Sequence, residues 1–300
     1  MGKTGRSKMI NSADAVTLLR EDILISSEYD APIKTRLNVT KLMDVPELEA
    51  ARQLTLLGYD LSSSVSMREF CNKKWEKPNS RQKEAHNLLL LIERSNTMIL
   101  DTDTVQHGAA AIEYSIKLAD HCLQLRNFAD LVAIMAGLHH SSVFRLKLRW
   151  AAVKAQEMKT FKHLSEVVNV DGGHKQIRIL MDSATPPLVP FLGPLFHDLI
   201  YLEENSTYDE NSHINWQKLE AVANIINKFK RCFTSEYKLV PQLHIQNMIL
   251  SHPKSTNETL YDRSLILEPR RSGSVSTPNS SSNIPFSSPK FNFGIRNLLG

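Results

Sequence analysis

The chain has 300 residues, 42% apolar and 23% charged, with a formal net charge of +4. Those values are ordinary for a globular protein able to bury a core. The small positive charge is scattered among acids rather than gathered into a stripe, which argues against a nucleic-acid partner. No run of 18 apolar residues exists, so no transmembrane segment is expected. The opening MGKTGRSKMINSADA lacks the apolar stretch of a signal peptide, and a cytoplasmic location is expected. The three cysteines, Cys71, Cys122 and Cys232, are far apart and odd in number, and form neither a disulfide framework nor a zinc pattern.

Residues 1–44 read as an N-terminal extension with two short apolar stretches, Val16-Thr17-Leu18-Leu19 and Ile23-Leu24-Ile25. A strong helical pattern begins at Val45-Pro46-Glu47-Leu48. Within Ala51–Leu61, the residues Leu54, Leu57 and Leu61 make one helix face. Asp101-Thr102-Asp103-Thr104 supplies N-cap side chains for a helix whose apolar stripe is Ile112, Ile116, Ala119 and Leu123. The segment from Phe128 to Leu138 is apolar almost all round, the mark of a helix at the centre of a domain.

Further along, Pro186, Pro187, Pro190 and Gly193 predict an abrupt, rigid corner. Leu195, Leu199 and Leu202 then define a helix, residues 205–213 a polar loop, and Leu219, Val222, Ala223, Ile226 and Phe229 the apolar face of a second helix. Two helices joined this way form an antiparallel hairpin. From Ser264 to Gly300 there are nine Ser and four Pro, so residues 257–300 are expected to be a Ser/Pro-rich flexible tail. Its basic residues, Arg270, Arg271, Lys290 and Arg296, suit weak contact with a membrane or an adaptor. Ser274, Thr277 and Ser288 sit in short patterns that kinases read.

Catalytic and cofactor motifs fail one by one. Gly2-Lys3-Thr4 lacks the upstream glycine and strand of a phosphate-binding loop. His139 and His140 are adjacent, so on a helix they diverge by about 100° and do not converge on a metal. The acidic stretch from Glu203 to Asn211 lacks the order and the glycine of a calcium loop. No nucleophile elbow is present. Neither a cofactor nor a metal is expected, and the chain has no visible site for covalent chemistry.

Three separated blocks resemble the Cdc25-homology catalytic domain of Ras-family guanine nucleotide exchange factors, over residues 45–256. The first is Gln53-Leu54-Thr55-Leu56 with Glu69-Phe70 and Trp75. The second runs from Asn127-Phe128 through Gly137-Leu138 to Arg145-Leu146 and Trp150. The third is Thr185-Pro186-Pro187-Leu188-Val189-Pro190-Phe191-Leu192-Gly193, followed by the hairpin. The resemblance implies an all-α fold whose protruding hairpin wedges open the nucleotide site of a small GTPase (Ral, Ras or Rap). By carry-over, Ile200 is the apolar side chain entering the metal region, and Glu204 is the acid engaging the vacated phosphate loop. Asn127, Arg145, Phe191 and His197 are expected at the GTPase interface. For Arg145, pinning the following helix is an equal alternative. Such a protein is no enzyme in the covalent sense, and would be recruited to the membrane face where its GTPase is anchored. The Ral exchange factors that lack an N-terminal accessory domain offer partial local matches, since Asp198-Leu199-Ile200-Tyr201, Tyr237–Pro241 and Tyr261–Pro269 resemble their sequence, which favours a Ral-like substrate. The alternative is a scaffold of the same fold that binds a GTPase or adaptor without exchange. Two departures stand out: Asn205-Ser206 replaces the usual Gly-Asn after the acid pair, and Thr185 replaces Asn before the prolines.

Overall fold

The structure, a computed structural model, describes residues 39–71, 97–208, 212–251 and 257–270. Among these residues it is all-α. Twelve helices run in order: α1 Glu47–Ser63, α2 Thr97–Leu100, α3 Val105–Gln124, α4 Phe128–Leu138, α5 Ser141–Phe144, α6 Lys147–Ala151, α7 Ala155–Val167, α8 Asp171–Ser183, α9 Gly193–Glu203, α10 Trp216–Arg231, α11 Leu243–Leu250 and α12 Asn257–Leu267. Short 3-10 turns cover Leu42–Asp44 and Met67–Phe70. Trp75 and the apolar stretches of the N-terminal extension lie outside the described residues.

Helix α3 is the axis of the main body, packed against α1, α2, α4, α6 and α7. Its predicted stripe is fully inside: Ile112, Ile116 and Ala119 are at 0% exposure. Thr104 caps it by accepting the His107 N–H at 3.1 Å. Helix α4, apolar on nearly every side, sits beside it with almost all its residues buried. Packing therefore follows the hydrophobic pattern, as burial of roughly 25 cal/mol per Å² of apolar surface demands.

Helix α1 differs from its predicted face. Its buried residues include Ala50, Ala51, Leu54, Thr55 and Gly58, while Leu57 and Leu61 sit at the margin. Close approach selects small side chains. A Cβ on Gly58 would stand 3.2 Å from Val189 Cγ1. Gln53 is a polar staple inside this contact. It donates to Glu49 Oε1 and to the Val240 carbonyl, and accepts from Gln242 N and Gln246 Nε2.

The expected tail boundary at 257 moves. Residues 257–267 form α12, docked on α2 and α5. Arg145 donates to the Ser264 and Glu268 carbonyls. The Glu268 carboxylate accepts the Leu148 and Arg149 N–H groups at the start of α6 and pairs with the buried Arg149 guanidinium at 3.3 Å. Arg263 bonds the Leu100 carbonyl and Asp101. Leu260 and Leu267 pack against the main core, but most of the docking is made by charge-assisted hydrogen bonds, which hydrophobic patterning does not report. Residues 42–45 likewise belong to the body, because Tyr114 Oη bonds the carbonyls of Leu42 and Val45.

Asp130 on α4 is fully buried. Asn127 Nδ2 donates to its Oδ2, but Oδ1 has no partner. Burial pushes its carboxyl up to about 7, against an ordinary 3.8, although the Asn127 bond works in the opposite direction. A folded-state value above the unfolded one means that folding holds the proton. The contribution is fully present below about pH 4 and is lost as pH rises towards 7. Asp130→Asn should therefore gain in Tm relative to wild type as pH rises from about 5 to about 8. A Tm difference that stays constant across that range would contradict this assignment.

Candidate functional site

The site grows from one backbone junction. Between α3 and α4 the chain turns through Arg126, whose φ of 57° is left-handed. Asn127 then caps α4 by accepting the Asp130 N–H, and donates to Thr55 Oγ1 on α1. The proline corner is sewn to this turn. Val189 N donates to the Arg126 carbonyl at 3.0 Å, and Phe128 N donates to the Val189 carbonyl at 2.9 Å. Arg126 Nη1 reaches the Thr185 carbonyl, and Leu188 N reaches the carbonyl of Cys232, where α10 ends back at the hairpin root. Within the corner, the Pro186–Pro187 peptide is cis.

From the corner, α9 and α10 run out and back, packed on each other over a core of their own. That core holds Leu192, Leu195, Phe196, Leu199, Ile225 and Phe229, with Val65 and Phe70 from the segment after α1. Phe70 is at 0% exposure and meets Phe229 at 4.6 Å and Phe196 at 6.3 Å between ring centroids. The turn Met67–Phe70 thus braces the hairpin root. Ser66 caps that turn by accepting the Arg68 N–H. A second brace is ionic: Arg178 on α8 makes a bidentate pair with Asp198 on α9, at 2.6 and 2.9 Å, and also reaches the Pro194 carbonyl. The packed face of α10 is rotated from the predicted one. Ile225 and Phe229 are its centre, whereas Leu219 and Ala223 are exposed.

The outer face of α9 carries His197, Ile200, Tyr201 and Glu204. His197 is exposed, its ring nitrogen 3.7 Å from Asp198. Ile200 is half-buried against the hairpin core. Tyr201 is 67% exposed. Glu204 is the C-cap residue of α9, exposed, and its carboxylate pairs with no group among the described residues. Its neighbour Glu203 turns inward to Lys218 on α10. Beyond Glu204 the hairpin tip exposes three large apolar side chains among its polar ones: Tyr208, Ile214 and Trp216 are 57%, 44% and 71% exposed. Tyr208 and Ile214 form an antiparallel bridge that closes the loop.

Three of the six residues expected at a GTPase interface, His197, Ile200 and Glu204, share this face. The other three lie elsewhere. Asn127 is fully buried and all its contacts are internal, so it anchors the corner rather than presenting a surface. Phe191 is 7% exposed and packs beneath the hairpin, its ring 5.2 Å from that of His174. The guanidinium of Arg145 is held by α12, with Tyr261 beneath it at 5.9 Å, so it pins this later helix and not the one that directly follows it. The two histidines that invited a metal are helix-end residues. His139 follows α4 and stacks on Phe161 at 5.0 Å, and burial lowers its pKa, with the Met135 carbonyl opposing. His140 accepts the Ser142 N–H at the start of α5. Ser274, Thr277, Ser288 and the acids Asp209 and Glu210 lie outside the described residues.

The sequence matches the RasGEF domain over residues 49–220, more than half of the chain. This chain belongs to the RasGEF domain family. The match extends from α1 to the first turn of α10. Two proteins of Dictyostelium discoideum are similar: Ras guanine nucleotide exchange factor Q, 30% identical over 263 residues (85% of this chain), and factor A, 32% identical over 256 residues (78%). Mouse Ras-specific guanine nucleotide-releasing factor 1 is 29% identical over 234 residues, 75% of this chain. The chain spans 20%, 42% and 18% of these three relatives, so they are considerably longer proteins. Among the described residues, no helix of this RasGEF chain is long and apolar enough to cross a membrane.

In the sequence Phe70 stands only as part of the first block of the resemblance, yet it holds the hairpin. Phe70→Ala should cost about 3–5 kcal/mol and lower Tm by roughly 10 °C. The protease sensitivity of residues 193–231 should rise more than that of α3 and α4. Uniform sensitisation along the chain would argue against a local brace.

Proposed function

We propose that this chain promotes guanine nucleotide release from a Ras-family small GTPase by inserting the α9 end of its hairpin beside the bound nucleotide. The observation that carries this reading is the outward face of α9. It presents an apolar residue, Ile200, and one turn later an unpaired carboxylate, Glu204, on a helix braced from behind by Phe70 and Arg178. The RasGEF domain match and the names of the relatives support the same activity.

The chemistry asked of this face is displacement. A GTPase holds its nucleotide through phosphate-loop amides, a lysine and Mg²⁺. An apolar side chain in the metal region gives Mg²⁺ no ligand. A carboxylate can take up the hydrogen bonds that the phosphate relinquishes. Affinity is then greatest for the nucleotide-free GTPase, and tighter binding to that intermediate accelerates exchange in both directions. The exposed Tyr201, Tyr208 and Trp216 supply aromatic surface of the kind that concentrates binding energy at interfaces.

A Ral-like GTPase is the favoured substrate on the strength of Asp198-Leu199-Ile200-Tyr201 and Tyr261–Pro269, with Ras and Rap to be tested beside it. The decisive assay follows release of fluorescent GDP from Ral, Ras and Rap proteins. Accelerated release from at least one is expected. Binding without release from any would leave a scaffold. Glu204→Ala should slow release by about tenfold or more, the equivalent of losing one charge-assisted contact of ~1.5–3 kcal/mol. Its far-ultraviolet dichroism should be unchanged. An unaltered rate would remove Glu204 from the mechanism.

A further inference from the structure

Two acids stand side by side where α9 ends, and only one faces outward. The other is held by Lys218. This lysine is 8% exposed, rare for its type without a partner. Its ammonium lies 3.4 Å from Glu203 Oε2, 2.8 Å from the Asn205 carbonyl and 3.3 Å from Thr207 Oγ1. All three of its donors are therefore used, and the three acceptors belong to the last residue of α9 and the segment that leaves it. Its own position is fixed, because Asn215 caps α10 by accepting the Lys218 N–H at 3.1 Å. Asn215 also ties the loop from the other side: its N–H meets the Thr207 carbonyl and its Nδ2 meets the Ser206 carbonyl.

The electrostatics give this arrangement a purpose. A helix C-terminus carries partial negative charge and unsatisfied carbonyls, so adjacent carboxylates there are unfavourable. An ammonium placed among them neutralises one acid and satisfies a loop carbonyl. Because Glu203 is 16% exposed at its side chain and already paired, Glu204 is left as the one outward carboxylate at the end of α9 among the described residues.

We infer that Lys218 is a positioning residue for nucleotide exchange. It sequesters Glu203 and clamps the hairpin turn so that Glu204 is delivered as a single carboxylate in a fixed place. The inference rests on the proposed exchange activity. With Lys218 removed, two like charges face each other without a counter-ion and the last turn of α9 frays. A displacement of about 1 Å at a reacting contact costs up to roughly a hundredfold in rate.

The experiment compares wild type, Lys218→Met and Lys218→Arg in GDP release from the GTPase that wild type acts upon. Each is assayed at a temperature well below its own Tm. Lys218→Met should lower the maximal rate at saturating GTPase by roughly tenfold or more, with the half-saturating concentration within about twofold of wild type. Lys218→Arg, which keeps the charge and donors, should recover most of the loss. A maximal rate for Lys218→Met equal to wild type would overturn the inference. So would a loss that Lys218→Arg does not restore although both variants give the wild-type dichroism spectrum. If wild type itself releases no nucleotide from any GTPase, it is the exchange activity that fails, and Tm alone then reports whether Lys218 clamps the turn.

Discussion

The structure depends on what happens at Val189. Its N–H and its carbonyl are both taken by the turn between α3 and α4, through Arg126 and Phe128. A segment interrupted by prolines cannot pair with its neighbours along its length, because proline has no N–H to give. Val189 is one of the few residues in the corner able to make both bonds, and it makes them to the most buried part of the molecule. Gly58 permits α1 to close over the same residue. Everything that projects from the corner is thereby referenced to the central helices, as the proposed wedge action on a GTPase requires. Binding energy is lost when the acting group must first be ordered.

Around that stitch the hairpin is secured in three chemically different ways. Aromatic packing of Phe70 on Phe196 and Phe229 fixes its root. The Arg178–Asp198 pair fixes the rotation of α9 about its axis, since a bidentate contact tolerates little twist. Lys218 fixes the distal turn. The C-terminal helix α12 acts elsewhere, holding α2, α5 and α6 together through Arg145, Arg149 and Arg263. The chain therefore provides its own supports for the hairpin within the described residues.

Much of this was legible in the sequence where apolar periodicity carries the information. The stripe of α3, the all-round apolar α4, the proline corner and the two hairpin helices follow from spacing and from backbone chemistry. What escaped is what periodicity does not encode. The buried face of α1 combines Leu54 with Ala50, Ala51, Thr55 and Gly58, small residues that allow close approach, so the leucine count found Leu54 but placed Leu57 and Leu61 too far inside. The register of α10 is set by Ile225 and by a buried lysine, and a hydrophobic count misassigns the lysine. α12 docks through Ser264, Glu268 and three arginines, polar residues that resemble a solvated tail in composition. At the site, His197, Ile200 and Glu204 fell together because one helix carries them. Asn127 and Phe191 are buried and Arg145 is half-buried against α12, placements that no one-dimensional spacing distinguishes from surface ones.

The proposed wedge requires that the hairpin stand ready before any partner arrives, which amide hydrogen exchange on the free protein measures. Val189, Phe128 and the amides of α9 from Phe196 to Glu203 should exchange slowly in the unbound chain, and adding nucleotide-free GTPase should change them little. Rapid exchange across α9 in the free protein, with protection appearing only on complex formation, would contradict it and would mean that the wedge is assembled by its target.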